Sequence, residues 1–216
     1  MTVKGNPQRI FCEGVRWGDL DNAEFEDIVG FFQRKIEYSF FIPIKDYLLP
    51  QYKTTGIMIL TAVSAVIDLV SQYYYSGDAL KHKDKYKRFL REHFPGFSDP
   101  VRIKKFPHVK DYADFFYEGF RCQLLHNFML SEHSTIGWKT GTVFLHMWNP
   151  DNGAKEIIVN PRELLARLEA VFGDYITKLL DKHNIELRRN FANKLFIDTG
   201  VKVDCRGSIF QPTSVG

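Results

Sequence analysis

Residues 116–129 read Phe-Tyr-Glu-Gly-Phe-Arg-Cys-Gln-Leu-Leu-His-Asn-Phe-Met and predict one helical run with two unlike faces. At about 100° per residue, one face is apolar and suits the interior of a helical bundle. The opposite face is bounded by Arg121 and His126, which lie about 140° apart on a straight helix. The apolar face consists of Ala113, Phe116, Tyr117, Phe120, Leu124 and Phe128, with Asn127 beside them.

Arg121 and His126 together form a minimal set of groups for phosphodiester chemistry. An arginine guanidinium is permanently charged and binds phosphate through paired N–H groups, and a histidine exchanges protons near neutral pH. A face of apolar groups flanked by charges predicts a contact with a second subunit, in which two copies of the pair line one cleft. The residues between the pair on this face are Glu118, Cys122, Leu125 and Met129.

The same residues have plainer interpretations, which the sequence leaves open. Glu118 lies three positions before Arg121, so the two can form a local ion pair that contributes about 0.2–0.5 kcal/mol. Cys122 and His126 can share a helix face, as a cysteine nucleophile with its base or as half of a metal site. A helical cysteine is more often a small apolar filler, and two ligands do not complete a zinc site. We therefore expect no metal and no cofactor.

Three segments follow one order along the chain: an apolar helix at 53–75, Phe-Leu-Arg-Glu-His-Phe-Pro at 89–95, and Phe-Arg-Cys-Gln-Leu-Leu-His-Asn at 120–127. Over residues 23–130 the sequence resembles the HEPN superfamily, small all-α domains that carry an Arg-x4-6-His motif on a late helix. Members often have Asn, Asp or His directly after the arginine, where this chain has Cys122.

The resemblance implies a function, a site and partners. In active HEPN ribonucleases the Arg and His meet across a homodimer, and RNA is cut without metal when a ribose 2′-hydroxyl attacks the neighbouring phosphate. By this resemblance His126 exchanges the proton and Arg121 holds the phosphate, with Glu118, Cys122 and Asn127 in support. An antitoxin or a nucleotidyltransferase is the kind of partner protein implied. HEPN domains also serve as inactive nucleotide-binding, RNA-binding or dimerising modules, so membership alone does not determine activity.

Length and composition predict a single helical domain over residues 1–216. The chain is 44% hydrophobic and contains 19 Phe and 10 Tyr, which is enough apolar surface for one well-packed core. The three cysteines are odd in number and far apart, which argues against a disulfide framework and favours a reducing compartment. They are Cys12, Cys122 and Cys205.

The sequence shows no export signal and no clear membrane span. The N-terminus lacks an apolar segment of signal-peptide length, and the longest apolar stretch, residues 56–70, is short for a bilayer and contains Asp68. We therefore expect a cytoplasmic protein without membrane contact, in which this stretch is the central helix.

Periodicity and capping residues predict a mainly α-helical bundle of HEPN type with a small β-hairpin after the motif helix. Segments 142–148 and 155–159 are rich in β-branched and aromatic residues and flank a turn-forming cluster at 149–153, so 142–159 is expected to be a hairpin insertion. Residues 197–216 have weak periodicity and are expected to form a flexible tail. The predicted helices cover 23–36, 53–75, 82–93, 108–130 and 161–183.

Basic residues are concentrated just before the motif helix. Residues 81–110 hold ten Lys or Arg against three Asp or Glu, a local balance of +7 in a chain whose net charge is +3. Aromatic residues alternate with these charges, a composition that suits a nucleic-acid surface and equally suits a solvated helix with its rings in the core. The aromatics are Tyr86, Phe89, Phe94, Phe97 and Phe106. The candidate nucleic-acid contacts are Lys83, Lys85, Lys87, Arg88, Arg91, Arg102, Lys104 and Lys105.

Three hypotheses follow. The first is a metal-independent endoribonuclease in which Arg121 and His126 act at a homodimer cleft and the basic region guides RNA. The second is a catalytically silent HEPN-like module that binds nucleotides or RNA, or dimerises. The third is a structural helical protein whose Arg121 pairs with Glu118. Glycine-rich phosphate loops, the serine-hydrolase elbow and the His-Glu-x-x-His motif are absent from the sequence.

Overall fold

The computed structural model describes residues 10–12, 14–101, 108–124, 130, 134–138, 141–148 and 155–205. The protein is mainly α-helical, a helical bundle with a small β-sheet, as the periodicity predicts. The helices are α1 (Phe25–Ile36), α2 (Tyr52–Tyr74), α3 (His82–His93), α4 (Tyr112–Phe115), α5 (Pro161–Leu180) and α6 (Ile185–Thr199). The strands are β1 (Ile10–Cys12), β2 (Val15–Arg16), β3 (Ser134–Ile136), β4 (Phe144–Trp148) and β5 (Lys155–Val159).

Several connections are themselves helical, with tighter or wider turns than an α-helix. Among the described residues, 3₁₀ segments cover Trp17–Asn22 and Leu49–Gln51. In the same part of the chain, π-helical segments cover Glu37–Phe41, Ile44–Leu48 and Phe116–Cys122. The last of these directly continues α4 and carries Arg121.

The chain divides into two compact units. The first consists of residues 1–41, 72–79 and 173–216, and the second of residues 42–71 and 80–172. Helices α2 and α5 each contribute residues to both units.

In the second unit, α2 supplies the apolar centre. Ile59, Leu60, Val63, Val66 and Ile67 are fully buried, and so little polar surface remains on this helix that each polar side chain needs an internal partner. The hydroxyl of Thr55 donates to the backbone carbonyl of Leu48 at 2.6 Å. The hydroxyl of Ser64 lies 2.8 Å from that of Tyr86.

Helix α2 also satisfies the length and composition of a membrane span. The segment Lys53–Tyr74 has a mean hydropathy of 1.8 over its most apolar 18 residues. Within the protein, 56% of that window is buried, and a core helix of a soluble protein has the same properties. The structure is therefore compatible with a soluble protein.

The β-sheet of the second unit confirms the predicted hairpin and adds a strand. β4 pairs antiparallel with β5, with Leu145 opposite Ile158. β3 pairs in parallel with the other edge of β5, so the strand order is β3-β5-β4. The predicted turn at 149–153 lies outside the described residues. The sheet packs closely on α2, where the position of a Cβ on Gly56 would lie 3.1 Å from side-chain atoms of Ile136 and Trp138.

In the first unit, aromatic rings form the core. The ring of Phe191 packs edge-on against Phe25 and Phe32, with centroids 5.7 and 5.3 Å apart, and against Tyr73 at 5.3 Å. Arg188 is fully buried beside them, with its guanidinium 3.9 Å from the Phe25 ring centroid. Three partners satisfy this buried charge: Glu26 Oε1 at 3.1 Å, the Leu179 carbonyl at 2.9 Å and the Cys205 carbonyl at 2.7 Å.

Helix α6 was not predicted from the sequence pattern. Its apolar residues occupy several faces, since Phe191 and Leu195 are buried while Phe196 and Ile197 are exposed. Such a distribution produces no amphipathic stripe. The predicted tail at 197–216 therefore begins inside this helix, and its residues from 206 onward lie outside the described residues.

Candidate functional site

The motif helix begins at a capping aspartate and then widens. Asp111 accepts a 2.8 Å hydrogen bond from the backbone amide of Asp114, which places the first helical residue at Tyr112 rather than at the predicted 108. The turn Phe116–Cys122 is π-helical. Short π-helical insertions within helices are frequent at functional sites. The described part of the helix continues to Leu124.

Four residues of the predicted apolar stripe pack inward, whereas Tyr117 was wrongly assigned to it and is half-buried, and Phe128 lies outside the described residues. Ala113, Phe116, Phe120 and Leu124 are fully buried. The other face of the turn leaves four side chains half-buried, and we refer to them as the motif face: Tyr117, Glu118, Arg121 and Cys122.

Arg121 is held by an aspartate from α2. Its Nη2 donates to Asp68 Oδ2 at 2.9 Å, and each of the two side chains retains only 16% of its exposure. The guanidinium also lies 5.4 Å from the centroid of the Tyr117 ring. Burial disfavours the charged guanidinium, but the hydrogen bond and charge of Asp68 outweigh it and raise the pKa of Arg121. The partner of Arg121 is therefore Asp68, not Glu118.

A histidine lies on the other side of the same carboxylate. His82, the first residue of α3, places its Nδ1 3.3 Å from Asp68 Oδ1 and keeps 56% of its side chain exposed. This separation of Nδ1 and Oδ1 is short enough for an ion pair. The two atoms do not form a hydrogen bond, because Asp68 Oδ1 has no hydrogen-bond partner among the described residues. Arg121 Nε is likewise buried without a partner there. Asp68 thus links a guanidinium and an imidazole.

A second group of charges lies between α3 and the motif helix. Lys87 Nζ is 3.1 Å from Asp114 Oδ1 and 3.3 Å from Glu118 Oε1. Arg91 donates to Asp111 at 2.8 Å and to Asp114 at 2.8 Å. Burial favours protonation of Asp114, but hydrogen bonds from Lys87 and from the backbone amide of Lys110, with the charges of Lys87 and Arg91, lower its pKa.

These ion pairs change the interpretation of the basic segment. The positive excess was counted over residues 81–110, a range that stops just before three carboxylates: Asp111, Asp114 and Glu118. These carboxylates neutralise Lys87 and Arg91. Arg88 pairs with Glu92 at 2.7 Å, and Lys85 is buried. Lys83 is exposed on α3.

The aromatic residues of α3 and the turn after it belong to the core. Tyr86, Phe89, Phe94 and Phe97 are each at most 1% exposed, so none of them presents a ring for base stacking. Several predicted site residues lie outside the described residues: Arg102, Lys104, Lys105, Phe106, His126 and Asn127.

Cys122 belongs to the motif face and lies beside Tyr117. Burial, together with the neighbouring Cys122, raises the pKa of Tyr117. Among the residues that the structure describes, no three His, Cys, Asp or Glu side chains are grouped so that they could hold a metal ion.

The interpretation of the sequence missed the roles of Asp68 and His82. A signal for Asp68 was present, because a single carboxylate in an apolar helix needs a cationic partner in the fold. No local pattern signals His82, which meets Asp68 only in the folded chain.

No family model, no curated protein and no solved structure matches this chain. Membership in the HEPN superfamily therefore remains a prediction from the residues alone.

Proposed function

We propose that the protein is a HEPN-like helical module that binds RNA or a nucleotide through the motif face without cutting it. The observation that carries this proposal is the ion pair between Arg121 and Asp68. Stabilising the charge that develops on a phosphate during cleavage needs surplus positive charge, whereas a guanidinium matched by a carboxylate keeps N–H donors for a ligand without that surplus.

The ion pair is also costly to open. Removing one partner of a buried ion pair destabilises a protein by about 3–5 kcal/mol, because the remaining charge is left without compensation. A phosphate that replaced Asp68 as the partner of Arg121 would leave the Asp68 carboxylate largely buried without a compensating charge. Arg121 has N–H groups beyond the one that Asp68 accepts, so a ligand can instead bind beside the intact pair.

A metal-independent endoribonuclease is the second candidate, and the position of His82 favours it. The exposed imidazole lies within 3.3 Å of the carboxylate that holds Arg121, which places a proton-exchanging group next to a cation. In this reaction the imidazole takes the proton of a ribose 2′-hydroxyl and the 2′-oxygen attacks phosphorus. The bond between phosphorus and the 5′-oxygen breaks, and that oxygen takes a proton from water or from an imidazolium. His126 is the candidate that the resemblance to HEPN proteins implies for this role.

The resemblance also supports the homodimer and the partner proteins proposed for both candidates. We propose a cytoplasmic homodimer that associates through the Arg121 and His126 face, with an antitoxin or a nucleotidyltransferase as a protein partner. A strictly monomeric protein in solution would argue against the endoribonuclease, because that mechanism needs two copies of the motif.

One experiment distinguishes the two candidates. Purified protein is incubated with labelled single-stranded RNA in EDTA, and both anisotropy and product ends are measured. Binding without cleavage supports the module, whereas cleavage that leaves 2′,3′-cyclic phosphate supports the endoribonuclease. His126→Ala and His82→Gln then identify the histidine that transfers the proton.

Matched variants distinguish RNA binding through the motif face from non-specific binding to positive surface charge. Asp68→Leu with Arg121→Met removes the guanidinium without leaving a buried carboxylate, and we expect RNA binding to fall at least about tenfold with the fold intact. Arg162→Ala removes an exposed arginine from the first turn of α5 and should leave binding unchanged. Absence of both binding and cleavage in the wild type rejects both candidates.

A further inference from the structure

A cavity of about 440 Å³ lies in the first unit, outside the motif face. One of its walls is a single face of α6, formed by Arg189, Ala192, Asn193 and Phe196. Their spacing of three, four and seven residues places them on one side of a helix. The other wall is the segment 202–205 that follows α6.

The second wall is fixed in place at both ends. Gly200 adopts a left-handed conformation with φ of 80°, and its amide donates to the Phe196 carbonyl at 2.8 Å, which ends the helix and turns the chain. At the far end, buried Arg188 donates to the Cys205 carbonyl at 2.7 Å. This wall of the cavity is therefore anchored to the rest of the unit at both ends.

Two polar side chains that line the cavity, Arg189 and Asn193, are available to a ligand. Among the residues that the structure describes, the side chains of Arg189 and Asn193 have no hydrogen-bond or ion-pair partner. Lys202 lies with its Nζ 5.5 Å from the centroid of the Phe196 ring. Among the described residues of the lining, Arg189 and Lys202 carry positive charge and Asp204 carries negative charge.

The apolar part of the lining includes an exposed aromatic ring. Phe196 is 39% exposed, although a phenylalanine on a core helix is normally buried. Its ring forms an apolar surface beside the cations Arg189 and Lys202. A pocket of about 300–1,000 Å³ that combines an apolar surface with a few convergent polar groups is typical of small-molecule sites.

We propose that this cavity binds a small organic anion that carries a ring. The anionic group is held by Arg189 and Lys202, the amide of Asn193 orients it, and the ring packs on Phe196. A carboxylate and a phosphate ester share this chemistry. The site is independent of the motif face, so it stands or falls separately from the function proposed above.

The test uses the full chain, with benzoate and phenyl phosphate as probes. Each probe is titrated into ¹⁵N-labelled protein, and amide shifts are followed in α6 and in residues 202–205. Saturable shifts confined to these residues are expected for at least one probe. The probe that binds more tightly identifies a carboxylate or a phosphate ester as the class of ligand.

Three variants make the result specific. Arg189→Ala should weaken binding by about tenfold or more, since it removes a charge-assisted hydrogen bond. Ala192→Leu keeps a good helix former and fills the cavity, so binding should be lost while the helical circular dichroism is retained. Arg162→Ala, which does not line the cavity, should bind as the wild type does. Equal affinities for wild type and Arg189→Ala, or no saturable shift with either probe, would overturn the proposal.

Discussion

Asp68 and Arg121 are 53 positions apart in sequence, yet in the fold Arg121 Nη2 lies 2.9 Å from Asp68 Oδ2. Their ion pair joins the apolar helix α2 to the π-helical turn Phe116–Cys122. Asp68 lies in a helix whose neighbouring residues Val66, Ile67 and Val70 are fully buried. The pair therefore compensates the one carboxylate that α2 carries, as well as positioning Arg121.

Separate removal of either partner should destabilise the protein more than removal of both. We expect Arg121→Met or Asp68→Leu alone to lower the free energy of unfolding by about 2–4 kcal/mol, below the full range for buried pairs because each side chain keeps 16% exposure. The double variant should recover at least half of that loss, since no unpaired charge remains. Urea unfolding of the four proteins measures this coupling. Additive losses would contradict it.

The ion pairs of Asp114 predict that the folded protein loses stability in acid. Its pKa is lowered in the folded protein, so its ion pairs stabilise the fold above the ordinary aspartate value of 3.8 and are lost as the pH falls through the lower folded value. We expect Asp114→Asn to cost about 1–3 kcal/mol at pH 7 and progressively less below pH about 4.

The matched control for this experiment is Asp46→Asn, because Asp46 is exposed. Urea unfolding at pH 7 and at pH about 3 should show a pH-dependent difference for Asp114→Asn and none of that size for Asp46→Asn. A cost of Asp114→Asn that is the same at both pH values would show that its ion pairs with Lys87 and Arg91 contribute nothing.

Local patterns predicted the elements whose signals are local. Helix α3 has the predicted bounds, because its buried residues Tyr86, Phe89 and Leu90 recur at helical spacing between exposed charges. The hairpin of β4 and β5 was also predictable, since a turn cluster separates two short β-prone segments. β3 was not predictable, because three residues carry little pattern and its parallel pairing with β5 is non-local.

The candidate site was only partly predictable for the same reason. The sequence singled out Arg121, because an arginine in an apolar helix is unusual. Spacing offered Glu118 as one alternative partner of Arg121, whereas Glu118 pairs with Lys87 and Arg121 with Asp68. Spacing along one helix identifies neighbours on that helix, but it contains no information about which helix packs beside it.

The hydrogen bond between the buried hydroxyls of Ser64 and Tyr86 predicts that removing one hydroxyl lowers stability more than removing the other. Burial raises the pKa of Tyr86 well above its usual range, so this hydroxyl remains neutral and needs a hydrogen-bond partner. In Tyr86→Phe, the Ser64 hydroxyl can rotate to the carbonyl four residues earlier in α2. In Ser64→Ala, the tyrosine hydroxyl is left unpaired in the core, which costs about 1–3 kcal/mol.

We therefore expect Ser64→Ala to destabilise the protein more than Tyr86→Phe does, and the double variant to cost less than the sum of the two. Chemical denaturation of the three variants tests this order. Equal costs for the single variants would show that Tyr86 finds a second partner.

Two helical glycines predict opposite responses to alanine. A Cβ added to Gly30 in α1 would meet no atom within 4 Å, so Gly30→Ala should stabilise the protein by about 0.5–1 kcal/mol through helix propensity alone. At Gly56 the added atom would lie 3.1 Å from Ile136 and Trp138, so the contact between α2 and β3 must open slightly and offset that gain. Gly56→Leu should destabilise outright and change the fluorescence of Trp138. If Gly56→Ala stabilises as much as Gly30→Ala does, the close packing of β3 on α2 is refuted.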